Sequence, residues 1–235
     1  MSAANELRLR PPLPQGARPS SRGPLIAAVA GLGAVALCDL FSLFAAARLR
    51  GLIKGDDGFR FADRQGLLDA YDLYETAHRW QVGAYLPCAV AFVVWFFLMR
   101  RATAPLGPDR FRNGPGWAIG AWAVPVGNLW LPYQVAIDMW YAATRLPADD
   151  EPYRAVRTWP VTLWWSLFVC GILLDRFSAT RYHRTENLAE LRGAVGQYMI
   201  GDVLNVAAAV AAVYFAVQLT AMQRRKATEG RPAAA

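Results

Sequence analysis

Five apolar runs, separated by short arginine-bearing loops, constrain this chain more than any other feature. They cover roughly Leu25–Ala47, Val82–Met99, Trp117–Ile137, Trp159–Leu174 and Met199–Thr220. A helix rises about 1.5 Å per residue, so a run of roughly 20 residues crosses the ~30 Å hydrocarbon core of a bilayer. A soluble domain of 235 residues has too little polar surface to cover so many of them. Only helices or closed barrels satisfy every backbone N–H and C=O in lipid, and these runs are too continuous for the alternation of barrel strands. The expectation is an all-α, polytopic helical membrane protein. It has four spanning helices plus a proline-broken third apolar segment that either spans or re-enters.

Charge supports that reading. Hydrophobic residues make up 55% of the chain and charged residues only 18%, low for a soluble domain. The net charge of +7 raises the question of nucleic acid. Yet the arginines sit beside the apolar runs (Arg18, Arg22, Arg48, Arg50, Arg100, Arg101, Arg224, Arg225), where they anchor helices and set orientation. The expected partner is the lipid bilayer, with a membrane-protein partner or a second copy as further options and no nucleic acid. Cys38, Cys88 and Cys170 each lie inside an apolar run, without metal-ligand or disulfide spacing, and read as small buried apolar residues. Ala45-Ala46-Ala47 resembles a signal-peptide cleavage site, but the long leader, the long apolar run and Asp39 within it favour a retained first helix.

Residues 1–24 are basic and proline-rich, and 226–235 are small and polar; neither can bury enough surface to fold, so both read as disordered tails around a helical membrane domain at 25–225. Two helices extend past their apolar runs. Leu67, Leu68, Tyr71, Tyr74, His78 and Trp80 recur at helical spacing ahead of the second run, opposite Asp69, Asp72, Glu75 and Arg79. Leu188, Leu191, Val195 and Met199 recur likewise ahead of the fifth, with Thr185 as a candidate N-cap. A faint internal echo links Leu37-Cys38-Asp39-Leu40-Phe41-Ser42 to Leu173-Leu174-Asp175-Arg176-Phe177-Ser178. Internal repeats of this sort are common in transporters.

The third segment is built unlike the rest. Pro125 and Pro132 each lack an N–H and clash with the carbonyl four residues earlier, so the helix must kink or break. Asn128 stands between them, where its amide could satisfy a carbonyl that a proline has orphaned. Trp117, Trp122, Trp130, Tyr133, Trp140 and Tyr141 suit interfacial anchoring. With five full spans and the N-terminus inside, Lys and Arg divide 12 inside to 13 outside; if the segment re-enters, they divide 15 to 10. The positive-inside rule favours re-entry by a modest margin.

The pattern Trp117…Trp122-x-x-Pro125-x-x-Asn128-Leu129-Trp130-x-Pro132-Tyr133, followed by Asp138-x-Trp140, resembles the core of a bacterial membrane-protein family known as domain of unknown function 4328, abundant in actinobacteria. Trp95 and Arg100 closing the second helix, Trp164-Trp165 in the fourth and Thr220-x-x-Gln223 closing the last also fit, so the resemblance covers about residues 25–225. An asparagine that the pattern calls for shortly after Arg100 is missing. The resemblance implies a membrane architecture and brings no activity, substrate or cofactor with it.

Ionisable groups inside a membrane cost about 2.5–3.5 kcal/mol each on insertion scales and mark functional sites. Asp39, Asp138 and Asp202 qualify by position, and Asn205 shares a helical face with Asp202. The plainer alternative puts all three carboxylates at helix ends, solvated or paired with Arg176, Arg145 or a neighbour. Glu75-x-x-His78 and His183-x-x-Glu186 do not make the inward-facing set that a di-metal bundle needs, so no metal or cofactor is expected. No Gly-x-Ser-x-Gly elbow or phosphate-cradling loop is present, which leans against an enzyme. The function that fits first is a non-enzymatic scaffold or partner-binding protein of the bacterial cytoplasmic membrane. The alternative is permeation or transport of a small ion or solute through a polar cavity at the broken segment, with Asn128, Asp138 and Asp202 along the path; a membrane-embedded enzyme comes third. A polar cavity at Asn128 would favour transport and a tightly packed centre the scaffold.

Overall fold

The apolar runs become four long helices: α1 (Arg22–Leu52), α2 (Arg64–Thr103), α5 (Trp159–Tyr182) and α6 (Leu188–Glu229). Between α2 and α5 lie two short ones, α3 (Trp117–Ala123) and α4 (Leu131–Ala143), and three single-turn 3-10 segments. The computed structural model describes residues 22–53, 64–144, 156–182 and 188–229. All four long helices are long and apolar enough to cross a membrane. With 40 and 42 residues, α2 and α6 extend about 60 Å, twice the hydrocarbon core. Their surplus is the pair of amphipathic stretches read from the sequence.

α6 is the centre of the bundle: α1 packs along both α2 and α6, and α5 packs along α6 on its other side. Side chains at the bundle's two ends form separate apolar clusters. At one end, Ala45, Ala46 and Leu49 of α1 meet Ala70, Tyr74 and Ala77 of α2 and Val195 of α6. Small residues there let the helices close in, and we call this the cap end. The other cluster is aromatic, built on Phe92, Trp95 and Phe96 of α2, Trp140 of α4, Trp164 and Trp165 of α5, and Phe215 of α6. Around the outside runs a belt of exposed apolar residues, from Ile26 to Phe44 on α1 and from Ile200 to Val217 on α6. The stretch from Ile26 to Phe44 covers about 27 Å along the helix, close to the thickness of the hydrocarbon core. This is a multi-pass membrane protein.

The third segment re-enters. Phe111 lies under the Arg100 guanidinium and Asn113 accepts a hydrogen bond from it, so the segment starts at the C-terminal end of α2. One turn into the bundle, Trp122 meets Phe92, Phe96, Trp165 and Phe168. The chain then turns, and α4 climbs back past Thr162, which meets the Tyr133 hydroxyl, to Trp140, whose indole donates to the Arg157 carbonyl. Entry and exit share one end of the bundle, the hairpin end. Neither arm could span: α3 is about 10 Å long and α4 about 20 Å. Because the hairpin returns, the C-terminal end of α1 and the N-terminal ends of α2 and α6 share the cap end, as the re-entrant alternative requires.

The break itself is a tight turn. Val124 leaves the helix in an extended conformation, Val126 adopts φ 61°, and Gly127 N–H donates to Pro125 C=O at 2.6 Å. That is a γ-turn with positive φ, strained for a β-branched residue. Asn128 does not rescue a freed carbonyl with its side chain as expected; its backbone N–H bonds Val124 C=O at 2.9 Å, while its Oδ1 is buried without a partner. Once the helix breaks, neighbouring backbone amides are close enough to satisfy the carbonyls themselves.

Three further expectations need correction. Trp122 is an aromatic-core residue and no interfacial anchor, because re-entry carries it inward. α6 continues to Glu229, past the expected start of the tail at Lys226. The Lys226 ammonium donates to the carbonyls of Ala142 and Thr144 at 2.8 and 2.9 Å, which holds that last turn against α4. Finally, only Cys88 of the three free cysteines is buried; Cys170 is exposed.

Candidate functional site

Between the two apolar clusters, polar side chains from all four long helices meet in one layer. α1 contributes Asp39 and Ser42, α2 Gln81 and Tyr85, α5 Asp175 and Ser178, and α6 Asp202 and Asn205. Each pair is three or four residues apart, so each helix turns one polar face inward. Gln81 is the link: its Nε2 donates to Asp39 Oδ1 at 2.7 Å and to Asp202 Oδ1 at 2.8 Å. The Tyr85 hydroxyl reaches the same Asp39 oxygen at 3.4 Å, and Ser42 donates to Asp202.

Across the α5–α6 interface, Asn205 Nδ2 donates to Asp175 Oδ2 at 3.1 Å. Two glycines make room for this pair. A Cβ at Gly171 would stand 2.5 Å from Asn205 Oδ1, and one at Gly201 would stand 2.5 Å from Asp175 Oδ1. Each polar side chain therefore lies flat on the facing helix, which only a glycine permits at that distance. His78 of α2 stands beside Asp175, with its ring edge-on to Tyr198 at 6.3 Å.

The centre of the layer is deeply buried, and its edge opens at Tyr85, which is 38% exposed. Asp39 is 0% exposed and Asp202 4%. Along the helices it lies just inside the cap-side edge of the apolar belt: Gln81 follows the exposed Trp80, and Asp202 is two residues past the exposed Ile200. Hydrogen bonding leaves it incomplete. The outer oxygens of Asp39 and Asp202 and the hydroxyl of Ser178 are buried with no partner. Among the described residues, no Lys or Arg pairs with Asp39, Asp175 or Asp202. Charges are costly at this depth, and neighbouring carboxylates repel strongly where the dielectric is low. No group of three His, Cys, Asp or Glu among the described residues is placed to grip a metal ion.

Asp39, Asp202 and Asn205 are thus brought together, and the alternative of solvated helix ends fails for the two carboxylates. Asn128 and Asp138 stand elsewhere. Asn128 is at the tip of the hairpin, next to Leu129, whose carbonyl accepts the Trp165 indole N–H at 3.0 Å. Trp165 precedes Asp175 by ten residues of α5, about 15 Å along the axis. Asp138 lies at the hairpin end, outside the four spanning helices, and accepts the backbone N–H of Arg112. Burial raises its pKa, while Arg112 and then Arg100 pull it back. A single path through Asn128, Asp138 and Asp202 is not formed. The motif residues Trp117, Trp122, Pro125, Trp130, Pro132 and Trp140 build the hairpin: Pro132 and Trp140 are buried, and Trp117 and Trp130 are exposed. Arg145, His183, Glu186 and Thr185 lie outside the described residues.

Gln81 and Tyr85 were not among the residues singled out by sequence. The signal that pointed toward the layer was the internal echo, whose Asp39 and Ser42 match Asp175 and Ser178, all four of which line it.

No curated protein and no solved structure matches this chain. The family model described as Domain of unknown function (DUF4328) matches residues 62–221, which takes in Gln81, Asp175, Asp202 and the whole hairpin and leaves α1 outside. With most of its length in that match, and with the broken Trp-rich hairpin at its heart, this membrane protein belongs to the DUF4328 family.

Proposed function

We propose that this protein passes protons or a small monovalent cation through the Asp39–Gln81–Asp202 layer, in the cytoplasmic membrane of a bacterium with the hairpin end toward the cytoplasm. The observation that carries the reading is the sharing of one donor, Gln81 Nε2, by two buried carboxylates whose outer oxygens have no partner. A purely structural network gains by satisfying every member, since each unpaired buried polar atom costs free energy. Open oxygens on adjacent carboxylates are what a transient proton or cation needs. The orientation rests on the excess of Lys and Arg at the hairpin end. The ion reading thus keeps the alternative drawn from sequence but moves its site from the broken segment to the four-helix layer.

A scaffold or partner-binding role is the second reading, favoured by the solid aromatic packing around the hairpin. Flux separates the two. The full-length protein in liposomes, under a potassium diffusion potential and with an internal pH dye, is expected to pass protons or the supplied cation faster than empty liposomes do. Asp39→Asn and Asp202→Asn keep shape and hydrogen bonding while removing the titratable group, and both are expected to abolish the excess. Wild-type flux equal to that of empty liposomes, or unchanged in both variants, would overturn the ion reading and leave the scaffold.

A further inference from the structure

The connection from α2 into the hairpin forms an open cleft of about 500 Å³, lined by Arg100, Arg101, Ala104, Phe111, Arg112 and Asn113. Its depth relative to the bilayer follows from its neighbours. Val94 is the last strongly exposed large apolar residue on α2. Arg100 comes six residues later, about 9 Å farther along the helix, which places the cleft at headgroup depth. The exposed Trp117, just past the cleft, is an aromatic of the kind that settles at this interface.

Its charge is concentrated. Arg100, Arg101 and Arg112 line it, and none of its lining residues is acidic. Arg100 is committed to the fold: only 5% exposed, it donates to Asn113 C=O at 2.7 Å and lies 3.5 Å over the Phe111 ring. In doing so it fixes both sides of the cleft. Arg101, near the end of α2, and Arg112, on the connection, both line it and are exposed. Asp138, beside Arg112 and Arg100, offsets part of the charge and leaves the cleft cationic.

We propose that this cleft binds the phosphate of an anionic phospholipid headgroup. Guanidinium groups recognise phosphate oxygens through paired charge-assisted hydrogen bonds, and basic pockets between helices at the membrane surface hold anionic headgroups. Arg101 and Arg112 take the phosphate, and the apolar surface of Ala104 and Phe111 takes the adjoining glycerol carbons. The site is separate from the carboxylate layer and independent of the ion reading.

A free phosphate offers the same chemistry, so the test separates the two. Thermal unfolding of the full-length protein in a neutral detergent is followed with added phosphatidylglycerol, phosphatidylcholine or inorganic phosphate. Phosphatidylglycerol is expected to raise the Tm, and the other two are not. The double variant Arg101→Gln, Arg112→Gln is expected to need about tenfold more phosphatidylglycerol for the same shift, the loss of roughly one strong charge-assisted contact. The control pair Arg110→Gln, Arg225→Gln removes the same charge from exposed positions outside the cleft and is expected to behave as wild type. An equal loss in both double variants would mean that bulk charge alone attracts lipid. A full shift from inorganic phosphate, or one of the same size from phosphatidylcholine, would likewise overturn the assignment.

Discussion

The hairpin end and the carboxylate layer are held together by opposite means. At the hairpin end, Trp122 touches four aromatic side chains from two helices, and Trp164 stacks on Phe215 with centroids 4.8 Å apart. Polar contacts there mostly lock chain ends: indole N–H to carbonyl at Trp140 and Trp165, ammonium to carbonyl at Lys226. The layer, by contrast, is held by side-chain hydrogen bonds between helices and by glycines that admit carboxylate and amide groups. Lipid removes most of the hydrophobic drive between helices, so each region relies on what remains. One uses dense van der Waals packing, which is indifferent to pH, and the other polar pairing, which is not. A protein with both keeps a rigidly packed wedge at one end and a hydrogen-bonded polar centre next to it.

The difference is broken most directly at its two central residues. Trp122→Ala would leave a cavity among Phe92, Phe96, Trp165 and Phe168, and is expected to cost about 3–5 kcal/mol, read as a lower midpoint of denaturant unfolding in detergent. A cost below about 1 kcal/mol would mean the hairpin is only lightly attached. Gln81→Leu is expected to cost somewhat less, about 2–3 kcal/mol, because it strips a donor from two buried carboxylates at once. Adding Asp202→Asn should recover part of that loss, since the new amide can donate to Asp39. Strict additivity of the two changes would show that the layer is not coupled.

Smaller effects sharpen the comparison. Val126 is 69% exposed and holds a positive φ, so Val126→Gly loses little packing and relieves strain. A gain of up to about 1 kcal/mol is expected in the same assay, and a loss would mean that the Val126 side chain is needed at the hairpin tip. Asp138 gives the smallest effect. Burial raises its pKa in the folded state, so folding is favoured while its proton is retained and that support fades as pH rises through the raised pKa. Asp138→Asn, neutral at every pH, is therefore expected to exceed wild type in Tm near about pH 8 and to match it well below about pH 4. The reverse order would show that attraction to Arg112 and Arg100 outweighs burial.

How much was legible in advance differed by region for a physical reason. Spanning helices, amphipathic extensions and the proline break are written in runs and periods of neighbouring residues, and Pro125 stops a helix whatever surrounds it. The carboxylate layer is not local. Gln81 meets partners 42 and 121 residues away, and a glutamine at the start of an apolar run reads as an ordinary interfacial residue. Gly171-x-x-x-Asp175 and Gly201-x-x-x-Asn205 share one spacing, but it becomes meaningful only when α5 and α6 lie side by side.

By itself the sequence determined that this chain lives in a bilayer on four helices and that its third apolar segment breaks. Each follows from backbone satisfaction in lipid or from proline geometry, neither of which needs a fold to be known. Tertiary structure alone decided that the broken segment turns back, that Trp122 belongs to the core, and that Asp39 and Asp202 share Gln81 while Asn128 and Asp138 stand apart. Those outcomes depend on which helix faces which, at what height and at what distance. Close packing of side chains remote in sequence settles that, and the hydropathy of one segment carries no record of its neighbour.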